Sequence, residues 1–185
     1  VGAADRPPNV IVNPFWPNFS SELISNVAEA PEVHTVTTSF AVKLTFKPAP
    51  EDTGYIFVRT DLSPVVEIPA DINYVINTDR GTNLEKDGAK IQTSEHVLAA
   101  LVGMGIDNCF IELDSAESPI MDGSSKFFVE AIESVGIQKQ DKLREEYVVT
   151  DLINFKDDET GSEITLIPAD EYQVTTMVDF ETKVL

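Results

Sequence analysis

The residues of this sequence that are best suited to chemistry are Glu95 and His96, adjacent within the segment from Gln92 to Leu101. An imidazole can bind a metal ion, and a neighbouring carboxylate can accept a proton. The same pair is also compatible with an ordinary acidic residue in a first helical turn beside a half-buried histidine. The pair therefore supplies a catalytic hypothesis that depends on the surrounding sequence.

The pattern around this pair predicts a loop that turns into a helix. Thr93 and Ser94 are residue types that favour the N-cap, and Glu95 falls in the first turn, where the helix dipole favours a negative charge. Glycines at positions 103 and 105 end the pattern. The apolar residues that recur at helical spacing are Val97, Leu98, Leu101 and Met104.

A second helix is predicted over residues 126–135, and Gly136 ends it. Strands are predicted over residues 41–46, 55–59 and 108–113, with an extended segment over 64–71. Candidate caps for the second helix are Asp122, Ser124 and Ser125. Its apolar face comprises Phe127, Phe128, Ala131, Ile132 and Val135.

Several ordered motifs resemble one enzyme family, the zinc-dependent UDP-3-O-acyl-N-acetylglucosamine deacetylases of lipid A synthesis in Gram-negative bacteria. The resemblance covers roughly positions 42 to 185 and is specific because the motifs occur in order at the right spacing. The segments that carry it are Leu44 to Pro50, Thr53 to Tyr55, Phe57 to Leu62, Asn77 to Thr82, Thr93 to Leu101, Gly105 to Asn108, Glu112 to Asp114 and Pro119 to Ser125.

The resemblance implies roles for the central pair, with His96 as a zinc ligand and Glu95 as the general base. A catalytic zinc ion takes about three protein ligands and a water molecule. In the family the other ligands and an acid histidine come from the second domain, whereas His34 and His96 are the only histidines of this sequence. The missing groups are expected after Leu185, so the 185-residue chain alone is expected to be inactive and to bind zinc weakly.

The sequence departs from the family before its first strand. The family usually has a Gly-x-Gly-Leu-His-Thr-Gly-like turn there, and residues 35–39 contain neither its glycines nor its histidine. His34 lies about three residues too early for an alignment without gaps, so no role is assigned to it. Asp122 belongs to a motif that is architectural in the family, and it is kept out of the catalytic set.

The expected fold is α+β, a two-layer sandwich whose mostly antiparallel sheet carries both helices on one face. The expected organisation is an irregular leader over residues 1–33, a first domain over 34–137, a linker over 138–146 and an incomplete second domain over 147–185. An acidic hairpin turn is predicted near residues 157–161, with a third strand over 172–180. The alternative for the leader is an apolar arm that docks through Phe15, Trp16 and Phe19.

Composition excludes several classes of protein. A net charge of -19 argues against non-specific nucleic-acid binding and against docking on anionic lipid. No stretch is apolar for long enough to span a membrane. The single cysteine, Cys109, is expected to be a small core residue, and with no visible secretion signal a cytoplasmic location is expected.

Two alternatives to a simple deacetylase remain open from the sequence. The chain could be a non-catalytic α/β module for interaction or regulation. It could also be the N-terminal part of a longer fusion with a further lipid-pathway domain. The coding sequence beyond Leu185 distinguishes these alternatives, because the family's His-x-x-x-Asp turn would lie there.

Overall fold

A computed structural model describes residues 8–12, 42–144 and 147–178. The backbone divides into two compact units, Val1–Arg144 and Glu145–Leu185. The predictions for His34 and for the arm with Phe15, Trp16 and Phe19 lie outside the described residues.

The elements of the described residues follow one another along the chain with short connections. The helices are α1 (Glu95–Gly103) and α2 (Lys126–Val135), with a 3-10 turn at Ile72–Tyr74. The strands are β1 (Pro8–Val12), β2 (Leu44–Pro48), β3 (Tyr55–Arg59), β4 (Val66–Pro69), β5 (Val75–Asn77), β6 (Asn83–Lys86), β7 (Ala89–Ile91), β8 (Cys109–Leu113), β9 (Ile137–Leu143), β10 (Ile153–Lys156) and β11 (Glu163–Leu166).

The main sheet of the first unit has four strands in the order β2-β8-β3-β4. The β2–β8 and β3–β4 pairs are antiparallel, whereas β3 and β8 are parallel. The predicted, mostly antiparallel sheet is therefore confirmed, with one parallel pair at its centre. The first strand starts at Leu44, later than predicted, and includes Pro48, which an edge strand tolerates because its free side needs no ladder donor.

One face of this sheet and both helices share a single core. Opposed residues on three strands, such as Phe46, Ile111 and Phe57, are buried on that face. The Phe46 and Phe128 rings meet edge to face with centroids 6.3 Å apart, a favourable arrangement for aromatic pairs. The buried helix residues in this core are Val97, Ala100, Leu101, Phe128, Ile132 and Val135. The predicted α+β sandwich with both helices on one face is confirmed.

A smaller antiparallel sheet, β5-β6-β7, connects the main sheet to α1. Its buried residues Leu84, Ala89 and Ile91 belong to the same core. The buried Arg59 of β3 donates from Nη1 to the Lys90 carbonyl at 2.6 Å, which ties the two sheets together. β7 is therefore fixed just before the chain enters α1.

The predicted linker over residues 138–146 is wrong for most of its length, because Ile137–Leu143 forms β9. β9 pairs antiparallel with β1, so the predicted irregular leader also contains a strand. The polar side chains of β9 alternate between half-buried and exposed, which is a strand pattern without apolar residues. The apolar-face criterion therefore missed it. The boundary between the two units, after Arg144, nevertheless lies within the predicted linker.

The second unit contains an antiparallel hairpin in which β10 pairs with β11. This confirms the predicted hairpin with its acidic turn. The Asp157 amide donates to the Ser162 carbonyl at 2.9 Å, and the Gly161 amide donates to the Asp157 carbonyl at 2.8 Å. The predicted third strand is wrong over residues 172–178, which have no regular secondary structure and no ladder partner in the described part of the chain.

None of the helices in the described part of the chain combines the length and apolar character that a membrane crossing needs.

Candidate active site at the start of helix α1

Helix α1 begins where the sequence predicts, with Glu95 in its first turn. Ser94 is at the N-cap position, but its hydroxyl does not cap the helix. Ser94 is fully buried, and its hydroxyl donates instead to the Thr82 carbonyl at 2.9 Å. The predicted cap residue is therefore in place with a different partner, in the turn before β6.

The Glu95 carboxylate is half-buried and faces the same turn. Its Oε2 accepts a hydrogen bond from the Thr82 amide at 2.9 Å. Gly81 lies beside the other oxygen, since a Cβ built on Gly81 would be 3.1 Å from Oε1. The carboxylate thus has one oxygen fixed by a backbone donor and the other next to a residue without a side chain.

His96 is half-buried and follows Glu95 in the first turn of α1. Its backbone carbonyl accepts a hydrogen bond from the Ser125 hydroxyl at 2.8 Å, which links α1 to the start of α2. No hydrogen bond or ion pair to its imidazole is found among the described residues. The ring nitrogens therefore face no competing protein partner there.

A zinc ion requires more ligands than this pair supplies. Among the described residues, no group of three or more histidine, cysteine, aspartate or glutamate side chains could hold a metal ion. One imidazole suits zinc chemically but falls short of the three protein ligands of a catalytic site. The described residues therefore fit zinc as one part of a site.

Asp122 has local hydrogen-bond partners that account for its position. Its Oδ1 accepts from the Ser124 amide at 3.0 Å and from the Ser124 hydroxyl at 2.7 Å. These bonds hold the pKa of the Asp122 carboxyl below its usual value. The Ser124 hydroxyl in turn accepts from the Lys126 amide at 3.2 Å, so Ser124 caps α2 while Ser125 bonds to His96.

The single thiol of the chain is in the core. Cys109 is fully buried in β8, and burial raises the pKa of its thiol to about 12. Since the thiolate is the reactive form of cysteine, this side chain is not a nucleophile near neutral pH. The sequence-based assignment of Cys109 as a core residue agrees with this position.

Thr82 and Gly81 are site neighbours that the sequence analysis did not assign. The motif from Asn77 to Thr82 was noted only as a turn that resembles the family. Thr82 reaches Glu95 through its backbone amide, which every residue except proline possesses. No side-chain pattern could therefore have revealed this contact.

Comparison with known proteins gives the family. The family model for UDP-3-O-acyl N-acetylglycosamine deacetylase matches residues 31–185. This chain belongs to that family. The match includes the whole segment that contains Glu95 and His96.

Three relatives illustrate the similarity. The UDP-3-O-acyl-N-acetylglucosamine deacetylase of Hahella chejuensis is 48% identical over 150 residues, which cover 78% of this chain and 47% of the relative. The enzyme of the same name from Coxiella burnetii is 42% identical over 158 residues, 85% of this chain and 51% of the relative. The bifunctional enzyme LpxC/FabZ of Chlorobaculum tepidum is 46% identical over 148 residues, 80% of this chain and 32% of the relative. The chain thus spans about half or less of the length of these curated relatives.

Proposed function

We propose that this chain is part of a zinc-dependent hydrolase that removes the N-acetyl group of UDP-3-O-acyl-N-acetylglucosamine in lipid A synthesis. The observation that carries the proposal is the Glu95–His96 pair in the first turn of α1, inside the segment that matches the family. The names of the Hahella and Coxiella relatives support the substrate. The proposed location is the cytoplasm, as expected from the single cysteine and the lack of a visible secretion signal.

In this proposal His96 contributes one imidazole ligand to zinc, and Glu95 acts as the general base. Zinc, when bound, lowers the pKa of a coordinated water towards about 7. Glu95 Oε2 is occupied by the Thr82 amide, so Oε1 is the oxygen that accepts the proton. Loss of that proton accompanies attack on the acetamide carbonyl, and acetate is released from the amino group.

The residues that would complete the site lie outside the described part of this chain. The described residues contain no metal-binding group of three side chains, and three protein ligands are needed. The proposal therefore assigns a partial site to the 185-residue chain, which would bind zinc weakly and would not release acetate on its own.

A fusion with a further lipid-pathway domain is a second candidate, favoured by one observation. The Chlorobaculum relative is named as a bifunctional enzyme, and this chain covers only 32% of its length. In that case the deacetylase chemistry is unchanged, and a second activity is present elsewhere in the protein. Determination of the complete coding sequence distinguishes the fusion from a single-function enzyme.

Zinc content and acetate release of two proteins test the proposal. One is the 185-residue chain, and the other is a version extended with the coding sequence that follows Leu185. In the extended protein, His96→Ala should remove most of the zinc. Glu95→Gln should keep the zinc and lower the rate by roughly 10²- to 10⁴-fold, the range for a general base.

The outcomes separate the three interpretations. Stoichiometric zinc and acetate release from the short chain would refute the partial site. An extended protein that never releases acetate would support a non-catalytic module instead. A stop codon directly after Leu185 would also favour the module, because no further ligands would then be encoded.

A further inference from the structure

The backbone of Thr82 binds two consecutive residues at the start of α1. Its amide donates to Glu95 Oε2 at 2.9 Å. Its carbonyl accepts from the Ser94 hydroxyl at 2.9 Å and from the Ser94 amide at 3.3 Å. We call this set of three hydrogen bonds the Thr82 clamp.

Ser94 has an unusual use of its hydroxyl in this clamp. A serine at the N-cap commonly accepts a hydrogen bond from an amide of the first helical turn, but Ser94 makes no such bond. Its backbone has helical angles, φ -77° and ψ -20°, whereas a capping serine has extended ones. The buried hydroxyl acts as a donor to the turn instead of as an acceptor from the helix.

The clamp restricts the side chain that the proposed mechanism needs most. A glutamate has three rotatable bonds and would otherwise sample several rotamers. The bond from Thr82 fixes Oε2, and Gly81 leaves room for Oε1 because a Cβ there would be 3.1 Å from it. The two carboxylate oxygens are thereby distinguished, one as an anchor and one as a proton acceptor.

We propose that Ser94 is a positioning residue for Glu95 and acts through the Thr82 backbone. The Ser94 hydroxyl holds the Thr82 carbonyl, which keeps the Thr82 amide directed at Glu95 Oε2. This role deepens the proposed function and rests on it, because it presumes that Glu95 is the general base. The hydrogen bonds of the clamp can nevertheless be tested without any catalytic assay.

Amide hydrogen exchange at Thr82 in the 185-residue chain tests the clamp itself. Ser94→Val and Ser94→Thr form a matched pair, since the two side chains have the same shape and only threonine keeps the hydroxyl. The Thr82 amide should exchange roughly 3- to 10-fold faster in Ser94→Val than in Ser94→Thr, the effect of one hydrogen bond. Equal exchange in both variants would overturn the clamp.

Ser118→Ala is the control for loss of a buried serine hydroxyl nearby. Ser118 is 2% exposed, and its hydroxyl has no hydrogen-bond partner among the described residues. Its amide donates to the Gln92 carbonyl at 3.0 Å, so it borders the segment that leads into α1. Ser118→Ala should leave Thr82 exchange unchanged, and acceleration equal to that of Ser94→Val would mean general loosening and would overturn the proposal.

Steady-state kinetics of the extended protein test the link to catalysis. Ser94→Val should lower kcat roughly 3- to 10-fold with little change in KM, and Ser94→Thr should restore it. A KM effect without a kcat effect would refute the positioning role. If Glu95→Gln leaves the rate intact, the proposed function fails, whereas the exchange result on the clamp stands by itself.

Discussion

At the scale of single residues, Arg59 and Asp61 form the best-defined charged contact of the first unit. Arg59 is 7% exposed, and its guanidinium donates from Nε at 2.9 Å and from Nη2 at 2.7 Å to the two Asp61 oxygens. These hydrogen bonds hold the pKa of the Asp61 carboxyl below its usual value. Since the same guanidinium also bonds to Lys90, this contact stabilises the strand that leads to the candidate site.

We expect this contact to make stability depend on pH in the acidic range. Because the pKa of Asp61 is lower in the folded state, its contribution is present above the unfolded value near 4 and is lost as pH falls through the lowered folded value. Asp61→Asn should reduce the free energy of unfolding by about 1–2 kcal/mol at pH 7. The difference from the wild type should shrink below about pH 4 in urea titrations.

Glu67→Gln is the control for this experiment. Glu67 is exposed on the neighbouring strand β4 and makes no hydrogen bond or ion pair to the described residues. Its removal should leave the free energy of unfolding within about 0.5 kcal/mol of the wild type. A difference between Asp61→Asn and wild type that is the same at pH 7 and pH 3 would contradict the charge-based explanation.

The sequence predicts the candidate site as far as side-chain types allow. Glu95 and His96 are recognisable because a carboxylate and an imidazole at a helix start have few equivalents in 185 residues with two histidines. The partner of Glu95 is not recognisable, since it is the backbone amide of Thr82, thirteen residues earlier. Contacts through backbone atoms depend on the path of the chain and leave no side-chain pattern.

At the scale of elements, β9 is joined to the main sheet region through polar side chains. Asn108 is 2% exposed; its Oδ1 accepts from the Gly54 amide at 2.9 Å and its Nδ2 donates to Gln140 Oε1 at 2.7 Å. The Gln140 amide group then donates to the Ala49 carbonyl at 3.1 Å. This chain of bonds connects β8, the loop before β3, and β9.

We expect the two amide side chains to contribute unequally to stability. Asn108→Ala leaves the Gly54 amide without its partner in a region that excludes water, which should cost about 2–3 kcal/mol. Gln140→Ala removes a half-buried side chain whose former partners retain better access to water, and it should cost about 1 kcal/mol. Urea denaturation of both variants measures the difference, and a larger loss for Gln140→Ala would contradict this account.

This network also explains why β9 escaped the sequence analysis while both helices were found. The residues of α1 and α2 repeat apolar side chains at helical spacing, so their faces are visible in the sequence. β9 turns polar residues such as Gln138, Gln140 and Lys142 inward. Its strand character therefore depends on specific partners, Asn108 and β1 among them, that no local pattern encodes.

At the scale of the whole molecule, the dominant electrostatic feature is the excess of negative charge. The chain has 32 acidic and 13 basic side chains, for a net charge of -19. The ion pairs found in the described residues mostly involve exposed or half-exposed side chains, and such pairs contribute little to stability. Repulsion among unpaired carboxylates therefore outweighs these attractions and destabilises the compact state.

Salt should consequently stabilise this chain. The Debye length falls from about 30 Å at 0.01 M to about 8 Å at 0.15 M ionic strength, so added salt screens repulsion across the surface. We expect Tm at pH 7 to rise by a few degrees over this range, equivalent to roughly 1 kcal/mol for a domain of this size. Sodium chloride and tetramethylammonium chloride should act alike, because screening depends on ionic strength and not on a bound cation. A fall in Tm would show that the ion pairs dominate, and an effect of sodium alone would indicate specific cation binding.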